Sequence, residues 1–208
     1  MFDVEGFILT GGASSRMGQD KARLLLSGQT FVVRIAQALT AIAPGRISIV
    51  SARPADAQAG LPIVADIHRG CGALGGIHAA LAHARAPWAA IVSCDLPFVT
   101  GELFSCLVAL RVAGVEAVAP LQNDGRQQPL CALYSRELCL AVAEELIREG
   151  ELRPRALLQR VHTRWAGPAE WSALKESDFF FHNVNEREDY IKARMKDEGG
   201  RMKRNRQL

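Results

Sequence analysis

The sequence lacks any uninterrupted apolar stretch that approaches the roughly 18 residues of a membrane-spanning helix. Residues 1–12 contain neither a basic segment nor a cleavable apolar segment, so we expect no signal peptide. The five cysteines are odd in number and form no C-x-x-C pair, which argues against a disulfide framework and against a structural zinc site. These absences favour a cytoplasmic protein without a membrane partner.

Sequence motifs of several enzyme classes are missing as well. The five histidines show no H-E-x-x-H spacing, and no G-x-S-x-G elbow is present, so nothing supports a histidine-based metal site or serine hydrolase chemistry. Cys94 stands at an expected strand end and is either a nucleophile or a small buried hydrophobe. The second interpretation is favoured because free cysteine is usually buried.

The formal net charge of +3 is concentrated at the carboxyl terminus. Residues 192–208 contain seven Lys or Arg residues and two acidic residues, a net +5, which leaves −2 for residues 1–191. We expect this basic tail to be a flexible, solvated terminus. Because the body of the chain is slightly acidic, we expect no nucleic-acid partner.

Short apolar runs alternate with amphipathic segments along the chain. The run 88–93, for example, is nearly continuous, as in a strand covered on both faces of a parallel sheet. Strands are expected at 6–10, 46–50, 62–65, 88–93, 115–120, 129–134 and 179–182. Helices are expected at 30–43, from 77 to about 84, and at 100–112, 136–148, 154–160 and 186–195. This alternation predicts an α/β fold, a three-layer α/β/α sandwich with a mostly parallel sheet, in one domain over residues 1–191.

Three chemically rich segments each follow a predicted strand: 11–21, 66–76 and 94–97. In parallel α/β sheets, ligands bind at the carboxyl ends of the strands. We therefore expect these segments to meet at one edge of the sheet and to form the functional site.

The segment Leu9–Lys21 reads LTGGASSRMGQDK. Its glycines let the backbone approach a ligand closely, and its N–H groups, hydroxyls and cations suit phosphate oxygens. The Walker A spacing and the G-x-G-x-x-G spacing are both absent, so neither class of nucleotide loop is indicated. From the residues alone, the segment is either a phosphate cradle or a surface loop with incidental basic residues.

This segment closely resembles the signature of nucleotidyltransferases with a glycosyltransferase-A-like, Rossmann-like fold. Within that superfamily, the chain resembles the molybdenum cofactor guanylyltransferase family to about residue 190. Other matching parts are Asp66, 72–77 (GALGGI), 94–97 (CDLP), the positions Gly125, Arg126, Pro129 and 132–134 (ALY), and 181–185 (FHNVN). The chain departs from the pattern at Thr10, where alanine is common, and at Ala73, where proline is usual.

The resemblance implies a role for the glycine-rich loop in holding the nucleotide phosphates. The residues that receive this role are Leu9, Thr10, Gly11 and Gly12. Lys21 would neutralise phosphate charge, and Arg16 would contact the leaving pyrophosphate. Threonine at position 10 should be tolerated, since the backbone does the binding.

Asp95 follows the apolar strand predicted at 88–93. A carboxylate at a buried strand end needs a partner, and a magnesium ion that bridges it to phosphates is one solution. By position alone, a helix cap near residue 100 or an Asp-Leu-Pro turn is equally compatible, and the resemblance favours the metal. Arg16, Lys21 and Asp95 thus form the predicted catalytic set.

Two further residues are candidates for nucleotide contacts through the resemblance. Asp66 ends a predicted strand where the family has a nucleotide-contacting aspartate, and the alternative is a turn-stabilising Asx residue. Ser51 aligns with a family asparagine that contacts the nucleotide, so this position is a departure from the pattern.

Acceptor contacts are expected from the later part of the chain. Asn183 and Asn185 are candidates for a ligand or substrate contact, with a helix cap before residue 186 as the alternative. Arg126, together with Arg153 and Arg155, is a candidate for binding the acceptor's anionic groups, and ordinary surface arginine is the alternative.

The resemblance implies a magnesium-dependent enzyme that transfers GMP from GTP to the terminal phosphate of molybdopterin and releases pyrophosphate. Molybdoenzymes or cofactor-delivery proteins would be its partners. Two alternatives stay open: a CTP-dependent or other small-molecule nucleotidyltransferase, and a non-catalytic nucleotide-binding protein that helps to deliver the cofactor. By family analogy, Gly11-Gly12 favours guanylyl transfer.

Overall fold

The computed structural model describes residues 3–10, 24–52, 60–68, 70–184, 188–191 and 195. Its strands are β1 (Val4–Leu9), β2 (Leu25–Leu26), β3 (Gln29–Thr30), β4 (Ile47–Ser51), β5 (Ile63–Ala65), β6 (Trp88–Ser93), β7 (Ala117–Pro120), β8 (Cys131–Ser135) and β9 (Thr163–Ala166). Its helices are α1 (Phe31–Leu39), α2 (Gly72–His83), α3 (Gly101–Ala109), α4 (Arg136–Glu149), α5 (Pro154–Arg160) and α6 (Pro168–Trp171).

Seven of the strands form one sheet in the spatial order β5-β4-β1-β6-β8-β7-β9. The strand β8 runs antiparallel to both of its neighbours, and every other pair in this sheet is parallel. The chain therefore winds outward from β1 through β4 to β5, then crosses back to β6 on the other side of β1. The predicted α/β fold with a mostly parallel sheet is confirmed.

Helices cover both faces of this sheet. One core packs α1, α3 and α6 against the sheet, and the other packs α2, α4 and α5 against its opposite face. Consecutive residues of β1 show the alternation: Ile8 belongs to the first core and Phe7 to the second, and each is at most 1% exposed. Burying a side chain of this size stabilises the fold by about 1.5–3 kcal/mol, so β1 anchors all three layers.

Threonine hydroxyls fix where two helices begin. Thr30 Oγ1 accepts a hydrogen bond from the Val33 N–H at 3.3 Å, and Thr100 Oγ1 does the same for Leu103 at 3.3 Å. Both helices end earlier than the sequence pattern predicts, at Leu39 and Ala109. Ile42, Ala43 and Leu110 beyond these ends still pack against the core, but from turns, whereas Val112 is exposed.

The hairpin of β2 and β3 was not predicted from the sequence. Ser27 and Gly28 connect the two strands with φ of 48° and 78°, the left-handed conformation of a two-residue hairpin turn. Each strand is only two residues long, which is too short to show an alternating pattern. The Ser-Gly pair was the available signal.

The predicted strand at 179–182 is wrong. Ser177–Phe179 forms a short 3-10 helix that begins after Glu176, whose φ is 65°. Phe180 is fully buried in the core that contains α1 and α3, whereas Phe179 packs against a separate cluster. The chain turns here because the Phe179 and Phe180 rings pack in two different apolar clusters. The strand β9 and the helix α6 were not predicted from the sequence either.

The separate cluster joins distant parts of the chain. It contains Leu24, Leu26, Phe31, Phe98 and Val184, with Phe179 and Tyr190 packed against it. The Tyr190 hydroxyl also donates a hydrogen bond of 2.8 Å to the Leu25 carbonyl. Helical residues near the carboxyl end are thereby attached to the hairpin. Among the described helices, none has the length and apolar character needed to cross a bilayer.

Candidate active site

The carboxyl ends of β1 and β6 lie side by side at the point where the winding of the sheet reverses. Leu9 is in register with Ser93, and the Cys94 N–H donates a hydrogen bond of 3.0 Å to the Leu9 carbonyl. Such a switch point is where open α/β sheets bind ligands. The segments that follow β1 and β6 therefore start next to each other.

Leu9 and Thr10 are the part of the predicted phosphate loop that the structure describes before residue 11. Both the N–H and the hydroxyl of Thr10 donate to the Val50 carbonyl, at 3.0 and 3.2 Å, and the residue is 4% exposed. The Leu9 side chain is 5% exposed and packs in the core. This part of the loop is thus fixed to the sheet, and its side chains face inward.

The central residues of the predicted cradle lie outside the described residues. They are Gly11, Gly12, Arg16 and Lys21. Their roles stay predictions from the sequence. The described chain resumes at Leu24, whose carbonyl accepts a hydrogen bond of 3.1 Å from the Phe31 N–H.

Asp95 lies two residues after β6 and is half-buried. Its backbone carbonyl accepts a hydrogen bond of 2.9 Å from the Val184 N–H. In the part of the chain that the structure describes, its carboxylate takes part in no hydrogen bond or ion pair. The helix that follows is capped by Thr100 instead, so the carboxylate is not used as that helix cap.

Ser51 and Asp66 lie at the same edge of the sheet, beyond β1 as seen from β6. The Asp66 N–H donates a hydrogen bond of 3.3 Å to the Ser51 carbonyl, and Ser51 is 2% exposed. Asp66 Oδ1 accepts a hydrogen bond of 3.0 Å from the His68 N–H. Asp66 therefore forms the turn that the sequence offered as an alternative, and its nucleotide contact stays a prediction.

The glycine-rich segment after Asp66 belongs largely to α2, which begins at Gly72 rather than after Gly76. A methyl group added at Gly75 would lie 3.0 Å from the His68 carbonyl oxygen and 3.3 Å from Asp66 Oδ1. At Gly76 it would lie 3.4 Å from the Leu9 side chain. These glycines allow the helix to pack closely against β1 and the Asp66 turn. The prediction that the helix starts later was wrong.

A polar cleft of about 1170 Å³ lies at the side of the sheet that contains β7 and β8. It is lined by the connection 122–129, the start of α5, the end of α6 and the segment 177–183. The structure brings Arg126, Arg153, Arg155 and Asn183 together on this one cleft. Asn185 lies outside the described residues.

Two of the cleft arginines have acidic partners. Arg126 Nε lies 2.6 Å from an Asp124 carboxylate oxygen, and hydrogen bonds from the Arg126 backbone and side chain lower the pKa of Asp124. Arg153 Nε lies 2.8 Å from Glu151, and this contact lowers the pKa of Glu151 to about 2. Arg155 makes no direct hydrogen bond or ion pair with any described residue, so its guanidinium is available to an anion.

Comparison with known proteins identifies the family. Residues 6–165 match the MobA-like NTP transferase domain, which is most of the chain. The chain belongs to the MobA-like NTP transferase family. It is therefore an enzyme of the nucleotidyltransferase class, as the resemblance implied.

Two relatives match the chain over nearly its whole length. One, from Pelotomaculum thermopropionicum, is named probable molybdenum cofactor guanylyltransferase and is 32% identical over 201 residues, 97% of each chain. The other, from Desulfosudis oleivorans, is named molybdenum cofactor guanylyltransferase and is 30% identical, over 96% of this chain and 98% of the relative.

Solved structures share the fold of this MobA-like protein. Molybdopterin-guanine dinucleotide biosynthesis protein A from Archaeoglobus fulgidus has a TM-score of 0.77 at 24% identity, over 92% of this chain and 97% of that chain. A 2-C-methyl-D-erythritol 4-phosphate cytidylyltransferase from Thermus thermophilus has a TM-score of 0.66 at 17% identity, over 94% and 99%. The predicted nucleotidyltransferase fold is confirmed.

Three cysteines of this MobA-like enzyme are buried. Cys94 is 7% exposed and packs in the core, which agrees with its interpretation as a small buried hydrophobe. Burial raises the pKa of both the Cys131 and the Cys139 thiols to about 12. A neutral thiol is a poor nucleophile, so neither of these two is activated.

Several cleft residues were not singled out from the sequence. They are the glutamines Gln122, Gln127, Gln128 and Gln159. Glutamine in a connection or on a surface helix carries no motif of its own. Only the meeting of four chain segments at one cleft makes these side chains notable.

Proposed function

We propose that the chain transfers GMP from GTP to the terminal phosphate of molybdopterin and forms the guanine dinucleotide cofactor. The observation that carries this proposal is the 32% identity, over 97% of each chain, to a protein named probable molybdenum cofactor guanylyltransferase. The adjacency of the β1 and β6 ends supports it, since a phosphate loop and a metal-binding carboxylate would then face one ligand.

The nucleotide would lie over the edge formed by β4, β1 and β6. The loop after Thr10 would surround the triphosphate, with Lys21 and Arg16 as its cations. Ser51 ends β4 and Asp66 follows β5 at the same edge, and both would contact the nucleoside part. The inward packing of Leu9 and Thr10 means that their contribution is to fix the start of the loop.

Asp95 fits a magnesium site as an oxygen donor. Its carboxylate is half-buried and has no partner among the described residues, and magnesium commonly takes one or two carboxylates together with phosphate oxygens and water. No group of three His, Cys, Asp or Glu side chains converges on one point in the described ranges, so substrate oxygens and water would complete the coordination. When bound, magnesium would offset negative charge on the phosphoryl oxygens.

The acceptor would bind in the cleft lined by Arg126, Arg153, Arg155 and Asn183. Guanidinium groups suit phosphate oxygens. An oxygen of the acceptor's terminal phosphate attacks the α-phosphorus of GTP, and the bond from that phosphorus to the bridging oxygen of the β-phosphate breaks. The electron pair leaves with pyrophosphate.

The chain would act mainly by positioning and charge. The attacking phosphate is already an anion, so it needs no strong general base. Holding the two phosphates in line, with cations around the leaving group, lowers the barrier as in phosphoryl transfer generally. We place this reaction in the cytoplasm, with molybdoenzymes or cofactor-delivery proteins as recipients of the product.

The test is nucleotide preference measured with the intact protein. Calorimetric titration with GTP and with CTP, and turnover of each with molybdopterin and Mg²⁺, separate the candidate functions. We expect tighter binding of GTP and pyrophosphate release that depends on both GTP and molybdopterin. Preference for CTP would establish the cytidylyl alternative, and GTP binding without turnover would establish a non-catalytic delivery protein.

A further inference from the structure

His78 is a buried polar residue that the proposed reaction does not use. It lies in α2 and is 6% exposed. Its Nδ1 is enclosed and has no hydrogen-bond partner within the described ranges. An unpaired polar atom in the interior destabilises a fold, and a leucine would fill this space without that penalty. The histidine therefore requires another explanation.

The His78 ring packs edge-to-face against the ring of His68. Their centroids are 4.3 Å apart and their planes cross at 86°. This arrangement is a favourable geometry for aromatic rings. His68 is half-buried and lies in the turn after β5, so the ring pair joins that turn to the middle of α2.

His68 also sets the direction of Asp66. Its N–H donates a hydrogen bond of 3.0 Å to Asp66 Oδ1, and its carbonyl accepts one of 3.1 Å from the Cys71 N–H. The backbone of His68 is therefore hydrogen-bonded to both Asp66 and Cys71. A displacement of His68 would move the N–H that holds the Asp66 carboxylate.

The charge state of His78 suits this contact. Burial and the neighbouring His68 lower the pKa of His78, and Glu144 of α4 and Asp66 oppose that shift. His68, Glu144 and Asp66 are the titratable groups of the described elements around α2 that shift the pKa of His78. Because the net shift is downward, the ring is neutral at neutral pH. A positive charge on this ring would be buried, with no hydrogen-bond partner for Nδ1 among the described residues.

We propose that His78 is a positioning residue for the nucleotide: through the His68 ring, it holds the Asp66 turn against α2 so that Asp66 faces GTP. The inference rests on the proposed function, in which Asp66 contacts the bound nucleotide. Loss of this support weakens binding of the ground state and the transition state alike, so KM changes and kcat does not. Protonation of His78 below neutral pH places a positive charge in the interior against the His68 ring, which loosens the turn and weakens GTP binding.

The experiment compares His78→Leu and His78→Phe with the wild type, and uses His83→Leu as the matched control. His83 is on the same helix, at its far end, where its ring contacts Phe7. We measure KM and kcat for GTP and the calorimetric Kd from pH 5.5 to 8. We expect His78→Leu to raise KM and Kd ~5-fold with kcat within ~2-fold, and His78→Phe and His83→Leu to stay within ~2-fold of the wild type.

The pH profile separates positioning from general stability. The wild-type KM should rise more steeply at low pH than that of His78→Leu, because only the wild type has an imidazole at position 78 that can be protonated. Unchanged KM and Kd, a fall in kcat alone, or identical pH profiles would overturn the inference. A wild type that binds GTP without turnover would refute the proposed function instead, and Kd would still test His78.

Discussion

The Val184 N–H donates a hydrogen bond of 2.9 Å to the Asp95 carbonyl. The two residues are far apart in sequence, and this bond places Asn183 beside the segment that follows β6. Val184 is also buried in the cluster that contains Leu24 and Leu26, directly after the predicted phosphate loop. Three parts of the proposed site, namely the loop exit, the segment that contains Asp95 and the proposed acceptor segment, are thus connected.

Replacing Asp95 by Asn should reduce pyrophosphate release with Mg²⁺ by at least ~100-fold, because it removes a charged ligand that acts on the reacting phosphates. The bond to Val184 involves only the backbone and should survive, so the circular dichroism spectrum should not change. Asp3→Asn is the control: Asp3 lies before β1, at the opposite edge of the sheet, and forms an ion pair of 2.9 Å with Arg111. Near-normal turnover by Asp95→Asn would contradict the metal role.

Lys21→Ala should lower kcat/KM for GTP by at least ~10-fold, which corresponds to the loss of one charged phosphate contact of ~1.5–3 kcal/mol. Lys175→Ala is a suitable control, since Lys175 lies in the turn region after α6. Steady-state kinetics at fixed Mg²⁺ measures both. If the two variants match the wild type, the loop binds phosphate through its backbone alone, and the proposed role of Lys21 is wrong.

Much of the fold follows from sequence patterns. The strand 88–93 was predicted at the bounds that the structure shows, because an apolar run of that length suits a strand covered on both faces. The helix at 154–160 was also predicted at the bounds that the structure shows. Proline is suited to the first position of a helix, which Pro154 occupies. These elements are specified by local composition, and tertiary contacts do not alter them.

The site could be predicted only in part. The edge that contains Thr10, Ser51, Asp66 and Asp95 follows from the rule that ligands bind at the carboxyl ends of parallel strands. The acceptor cleft does not follow from any local pattern, because four separate segments form it. The three phenylalanines at 179–181 resemble a strand, and only the positions of two different apolar clusters explain why the chain turns there.

Arg155→Ala should raise KM for molybdopterin by ~10-fold and leave KM for GTP unchanged, since Arg155 has no direct partner among the described residues and would bind an acceptor phosphate. Arg160→Ala on the same helix is the matched control. Arg160 pairs with Glu149 at 2.5 Å and does not line the cleft. Equal effects of the two substitutions would indicate a general electrostatic role for α5 rather than a specific contact.

Gly75→Ala should raise KM for GTP by ~3-fold or more, because the new methyl group would press on the His68 carbonyl at 3.0 Å and on Asp66 Oδ1 at 3.3 Å. Gly76→Ala is the control, since its methyl group would meet the Leu9 side chain at an ordinary 3.4 Å. Both substitutions gain about 1 kcal/mol of helix propensity, so a difference between them reports the contacts of the added methyl group. Equal KM values would mean that Asp66 does not contact GTP or that the turn yields without moving it.

In a variant with both Cys131 and Cys139 replaced by Ala, the free energy of unfolding should fall less steeply with rising pH above about pH 9. In the folded chain, burial raises the pKa of each thiol to about 12, whereas in the unfolded chain it is about 8.5. A raised folded pKa contributes stability that is complete below the unfolded pKa and is lost as pH rises toward the folded one. Each thiol therefore lowers the free energy of unfolding by up to ~1.4 kcal/mol per pH unit above pH 9.

Urea unfolding between pH 7 and 11 measures this slope for the wild type, the double variant and Cys71→Ala as the half-buried control. The double variant should be less stable at pH 7, because each substitution leaves a small cavity, but its stability should fall less steeply above pH 9. Cys71→Ala should keep a slope close to that of the wild type. A double variant whose slope equals the wild-type slope would mean that neither thiol stays protonated in the folded chain at that pH.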